Sequence, residues 1–143
     1  MEFVVEQDVP TDAEHVWSVL ADPVDWPRWT DSITRIDLLD GGIAPGDRVR
    51  IVQPRLVPMT WTVTRLVEGA ELTWVARGLG VATTGTHLVT GRGPGRSRLR
   101  LGLAQHAPVG VVVGTVLGRL TRRYLGLEAA GIAAAALEHR GAT

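Results

Sequence analysis

The apolar positions of the 143-residue chain divide it into a strand-rich part, with a short helical pattern near its start, and a helical tail. From Phe3 to Val9, β-branched residues dominate and partly alternate with polar ones, which predicts an opening strand. Pro10 ends its ladder pairing. Thr11-Asp12-Ala13-Glu14 has capping-box spacing, with the Thr11 hydroxyl placed to accept from the Glu14 N–H. Val16, Trp17 and Leu20 follow at helical spacing, and Pro23 limits that helix to about two turns. Trp26 and Trp29 flank a second short turn, and Ile33 to Leu39 resumes a strand pattern.

Alternation then recurs over Asp47–Gln53, Met59–Val67, Glu71–Ala76, Val81–Val89 and Ser97–Gln105. In the first of these, Arg48 and Arg50 oppose Val49 and Ile51. In the second, parity sets Trp61, Val63 and Arg65 against Thr60, Thr62 and Thr64. In the last, Leu99, Leu101 and Leu103 oppose Arg98 and Arg100. Gly-rich turns separate the segments, the strongest being Gly91 to Gly95. About seven strands at hairpin-like spacing predict a largely antiparallel sheet.

From Pro108 to about His139 the period is helical, through Val113, Leu117, Leu120, Tyr124, Leu127, Gly131, Ala134 and Glu138. A long amphipathic helix of this kind must cover a sheet face. Five glycines interrupt it, at 110, 114, 118, 126 and 131; each costs about 1 kcal/mol relative to Ala in a helix interior. Such glycines mark close packing on the sheet, first turns that are really loop, or space left for a ligand. With no internal repeat and no linker, residues 1–143 read as one domain, long enough to bury a core.

The opening segment resembles the START-like (SRPBCC) superfamily in its polyketide cyclase/dehydrase-like branch. The resemblance rests on the Val16-Trp17 pair of the short helix and on the Trp26-Pro27-Arg28-Trp29 turn, and the later elements agree in order and length. It implies an α+β helix-grip fold: a curved antiparallel sheet wrapped around a long C-terminal helix, with two short helices after the first strand. It also implies an apolar cavity between sheet and helix, where family members bind lipids, sterols, polyketides and other hydrophobic molecules.

Composition narrows the chemistry. Lys plus Arg and Asp plus Glu are balanced at 15 each, which argues against a nucleic-acid protein. Every basic residue is Arg, so lysine Schiff bases and phosphate-binding Gly-Lys loops are excluded. The absence of Cys removes disulfides, thiolate nucleophiles and Cys-ligated zinc. The three serines lack a nucleophile-elbow context, and the four histidines show no metal-ligand spacing. No metal site and no cofactor is expected. The N-terminus does not have the pattern of a signal peptide. The longest apolar stretch, Val109 to Leu117, falls short of the ~20 residues of a bilayer span, and Arg119, Arg122 and Arg123 follow it. The expectation is a cytoplasmic protein without stable membrane insertion.

His87 is the candidate acid/base residue, because strand parity places it with Thr83 and Val89 on one face, and imidazole transfers protons near neutral pH. The competing reading is a strand histidine hydrogen-bonded to a neighbour or exposed on the outer face. Trp26, Trp29, Trp61 and Trp74, together with His87, Gly114, Leu117 and Tyr124, are the candidate ligand-binding residues; the competing reading for the aromatic ones is core filling. The expected function is binding of a hydrophobic small molecule, lipid-, polyketide- or quinone-like. The alternatives are a polyketide cyclase, aromatase or dehydratase using His87 as acid/base, and a non-catalytic partner module whose protein partner is unknown.

Overall fold

After its first strand the chain crosses to the far edge of the sheet before any second strand pairs, and that crossing carries both short helices. The computed structural model describes residues 2–78, 80–106 and 115–141, the last stretch with side chains from 122 to 138. Strand β1 (Glu2–Val9) leads into α1 (Ala13–Leu20) and a 3-10 helix (Pro23–Arg28). There follow β2 (Arg35–Leu38), β3 (Arg48–Val52), β4 (Met59–Val67), β5 (Glu71–Gly78), β6 (Val81–Gly91), β7 (Ser97–His106) and the long α2 (Thr115–Gly141). The seven strands pair in the order β1-β7-β6-β5-β4-β3-β2, so the consecutive β1 and β2 form opposite edges. Every neighbouring pair is antiparallel. This is the helix-grip arrangement, with α2 packed against α1 and the β1–β7 edge. No described helix is long and apolar enough to cross a membrane.

Local pattern accounts for most strand faces. Val49 and Ile51 of β3, Leu72, Trp74 and Ala76 of β5, and Leu99 and Leu101 of β7 are buried, while Arg48, Arg50 and Arg100 are exposed. β4 departs from simple parity. Its register shifts between Val63 and Arg65, so Trp61 and Val63 face inward but Arg65 faces solvent and Leu66 takes the inward place. A bulge adds one residue and thereby exchanges the faces beyond it.

The capping box does not form. The N-cap of α1 is Asp12, without a side-chain cap. Thr11 Oγ1 is instead hydrogen-bonded to His15 Nδ1 at 3.1 Å. The Asp12 carboxylate accepts the Gly95 N–H at 2.7 Å, tying the start of α1 to the β6–β7 turn. A tertiary partner has taken the acceptor that would otherwise have capped the helix.

The inward face of α2 is also rotated from the predicted stripe. Leu125, Glu128, Ala129, Ile132, Ala135 and Ala136 are buried, whereas Leu127, Ala134 and Glu138 are exposed. Small side chains allow the close approach. Gly131 is the tightest point: a Cβ there would run into the Trp29 carbonyl oxygen and lie 2.9 Å from the Trp29 carbonyl carbon. Gly126 faces open space. Gly110 and Gly114 lie outside the described residues.

Candidate functional site

The inward side chains of β4, β5 and β6 meet those of the 3-10 helix in the core. Thr83, Gly85, His87 and Val89 are the buried positions of β6. Trp26 packs among them from the 3-10 helix and is 1 % exposed. Its indole N–H donates to the Val19 carbonyl at 3.1 Å, so the end of α1 fixes the ring. Truncating such a side chain to Ala costs about 3–5 kcal/mol.

Trp26, Trp74 and His87 form one aromatic cluster. The imidazole centroid lies 5.2 Å from that of Trp26 and 5.0 Å from that of Trp74, the latter edge-on at 75°. Trp26 and Trp74 are 5.6 Å apart, and Trp61 extends the cluster 6.2 Å beyond Trp74. Gly85 makes room for it, since a Cβ there would lie 2.9 Å from Trp74 Nε1. Each tilted aromatic contact adds about 0.5–1.5 kcal/mol beyond the area it buries.

Two polar contacts define the state of His87. Its Nδ1 is 2.9 Å from the Leu72 carbonyl oxygen. A carbonyl only accepts, so Nδ1 carries a proton. Nε2 lies 3.4 Å from Glu128 Oε1 on α2. With Nδ1 protonated, a neutral imidazole presents a lone pair at Nε2, which faces a carboxylate that also accepts. The separation exceeds the ~2.7–2.9 Å of a tight charge-assisted bond. Both side chains are almost fully buried.

The structure therefore gathers Trp26, Trp61, Trp74 and His87 and adds Glu128, which the sequence pattern had not singled out. Its signal was an acid at helical spacing from Leu125 and Ile132, visible only once the helix face is known. Tyr124 lies one turn before Glu128 on α2 and donates its hydroxyl proton to the Pro54 carbonyl in the β3–β4 loop. Trp29 stands apart. It helps line an outer groove of about 280 Å³ between α1, the 3-10 helix and α2, with Asp22, Asp25 and Glu138. Partial burial, and then the like charge of Asp25, raises the Asp22 carboxyl above its ordinary value. Gly114 and the side chain of Leu117 lie outside the described residues. Arg77, Arg122 and Arg123 are exposed, and Arg122 covers the Phe3 ring at 5.3 Å. Among the described residues, no group of three His, Asp or Glu side chains is arranged to hold a metal.

Residues 1–137 match the family model described as polyketide cyclase/dehydrase and lipid transport. The chain belongs to this family. Among solved structures, the Zhui aromatase/cyclase from Streptomyces sp. R1128 superposes with a TM-score of 0.77 at 19 % identity, over 98 % of this chain and 95 % of that one. Norcoclaurine synthase from Thalictrum flavum, in complex with dopamine and hydroxybenzaldehyde, gives 0.75 at 17 % identity over 97 % and 87 %. A START superfamily protein from Mycobacterium smegmatis gives 0.70 at 18 % over 97 % and 95 %. These likenesses establish the shared fold. A search of curated protein sequences finds no match.

Proposed function

We propose that the protein binds a lipid-, polyketide- or quinone-like molecule between the sheet and α2, and that His87, with Glu128, moves protons on it as a cyclase or dehydratase. The His87–Glu128 pair carries the reading. Replacing a buried polar pair by packed apolar side chains is often neutral or stabilising. Folding alone therefore gives little reason for an acid and an imidazole at the centre of an aromatic cluster. Family membership and the aromatic walls support the hydrophobic ligand.

The chemistry follows from the pairing of imidazole and carboxylate. His87 is the base in this reading. It takes a proton from a carbon flanked by carbonyls, and the resulting enolate attacks a second carbonyl of the same chain. The proton returns from His87 to the new alkoxide. A second proton removal with departure of hydroxide, protonated to water, completes a dehydration. The walls hold the chain folded, which converts ring closure into a favourable intramolecular step.

A thermal-shift panel of fatty acids, sterols, quinones and aromatic polyketides tests the binding. A ligand at 100 times its dissociation constant stabilises by about 2.7 kcal/mol, roughly 10 °C for a domain of this size. A poly-β-ketone thioester then tests turnover. His87→Ala and Glu128→Gln should abolish cyclisation while ligand binding persists. Unchanged turnover in His87→Ala would refute the proton-transfer role, and a bound ligand located away from the helix–sheet space would refute the site.

A further inference from the structure

The turn that joins β6 to β7 carries charge that the fold leaves unbalanced. Arg92 and Arg96 stand one step beyond the paired Gly91 and Ser97, and the Arg92 N–H donates to the Arg96 carbonyl at 2.9 Å. Among the described residues, neither side chain forms an ion pair. Like charges opposite one another on paired strands are destabilising. Arg98 alternates with the buried Ser97 and Leu99, so it stands on the outer face of the sheet, away from His87. It is already engaged: its Nε donates to Asp8 Oδ1 at 2.9 Å, and its Nη1 lies 3.7 Å from Glu6 Oε2. The three arginines and residues 8–10 at the end of β1 line a groove of about 400 Å³. Asp8 is the one carboxylate in that lining, which leaves positive charge in excess.

The turn is braced from within and from outside. The Arg96 N–H donates to the Gly93 carbonyl at 3.1 Å, and the Gly95 N–H donates to the Asp12 carboxylate at 2.7 Å. Arg96 Nη2 lies 3.7 Å from the place a Cβ on Gly93 would take, so its guanidinium lies over the turn. A guanidinium meets a phosphate group through parallel N–H donors. Two of them on one turn suit an anion with three acceptor oxygens better than a carboxylate, whose two oxygens a single guanidinium engages. The groove is larger than a bare ion requires, and Pro10 lends it apolar surface. We infer that this groove binds a phosphate monoester, with the phosphate on Arg92 and Arg96 and the organic part toward Pro10. The Asp8 carboxylate opposes the anion, and its pairing with Arg98 offsets that repulsion. The phosphate belongs to a soluble ester or to a lipid headgroup. The site lies on the outer face of the sheet and does not depend on the binding reading above.

The test uses phenyl phosphate as the soluble probe and phosphatidylcholine vesicles with and without phosphatidic acid as the lipid probe. Titration of phenyl phosphate into the wild-type protein, followed by amide NMR, should move resonances of residues 91–98 and leave those of His87 and Glu128 in place. Arg92→Gln with Arg96→Gln should weaken binding at least about 10-fold. Arg50→Gln with Arg77→Gln removes the same charge from exposed positions elsewhere on the sheet and should change it less than about 2-fold. Binding of phenyl phosphate marks a soluble ester, and cosedimentation with phosphatidic acid vesicles without it marks a lipid headgroup; either supports the site when it depends on Arg92 and Arg96. Failure of the wild-type protein to bind either probe overturns the inference. So does an equal loss in the two double variants, or resonance shifts confined to the helix–sheet space.

Discussion

Two glycines of α2 set up a test in which one substitution has different effects at two places on the same helix. A Cβ added at Gly126 would meet nothing within 4 Å, while one added at Gly131 would meet the Trp29 carbonyl group and lie 3.1 Å from Thr30 Cβ. Gly→Ala in a helix interior gains about 0.8–1.0 kcal/mol from propensity alone. Gly126→Ala should realise most of that gain. At Gly131 the obstacle is backbone, which cannot rotate aside as a side-chain tip would, and inserting an extra carbon into such packing typically costs about 1–3 kcal/mol. That cost offsets the propensity gain or exceeds it, so Gly131→Ala should be less stable than Gly126→Ala by about 1–3 kcal/mol. At roughly 4 °C per kcal/mol for a chain of this length, the two midpoints should separate by about 4–12 °C. Urea and thermal unfolding followed by tryptophan fluorescence measure both. Glu128 is one turn before Gly131 and faces His87, so displacement of α2 at Gly131 should also disturb the His87–Glu128 contact. Equal stabilisation by the two substitutions would show that α2 is not seated on the Trp29–Thr30 backbone, and the placement of Glu128 would fall with it.

Gly85→Ala should destabilise by about 1–3 kcal/mol, because the added carbon displaces the Trp74 indole; near-ultraviolet circular dichroism should show the disturbed aromatic cluster. Tyr124→Phe removes the hydrogen bond to Pro54 and should cost about 1 kcal/mol in urea unfolding, together with faster proteolysis in the β3–β4 loop. Asp22 and Asp40 should respond to pH with opposite signs. The folded state raises the Asp22 carboxyl, so it binds that proton more tightly than the unfolded chain, and ionisation costs stability as the pH rises. Asp22→Asn should therefore raise the melting temperature at pH 7, with the gain fading as the pH falls through the raised value. Arg48, by side-chain and backbone hydrogen bonds, lowers the Asp40 carboxyl. Asp40→Asn should lower the melting temperature at neutral pH, with the loss fading in acid, and pH-dependent thermal scans of both variants decide the point.

Strand existence, most strand faces and the parity that His87 shares with Thr83 and Val89 were legible along the chain, because alternation is a two-residue rule that acts locally and continues until something breaks the register. The bulge in β4 breaks it: the chain shows no Gly or Pro between Val63 and Arg65, and only pairing with β5 reveals that Arg65 turns outward. The α1 cap shows the same limit. Thr11 and Glu14 have the spacing of a capping box, yet His15 engages the Thr11 hydroxyl and the distant Gly95 N–H engages Asp12. Helical period likewise announced α2 but left its rotation open, since a stripe rich in Ala and Gly has no sharp apolar edge. Contact with α1, β1 and the Trp29 turn selected the face with Leu125, Glu128 and Ile132. That choice places a carboxylate from the last helix 3.4 Å from an imidazole on the sixth strand. Local order along a chain follows from steric and hydrogen-bonding rules spanning a few residues. A pair joined across a core depends on the docking of whole elements, which is decided by shape and burial in three dimensions.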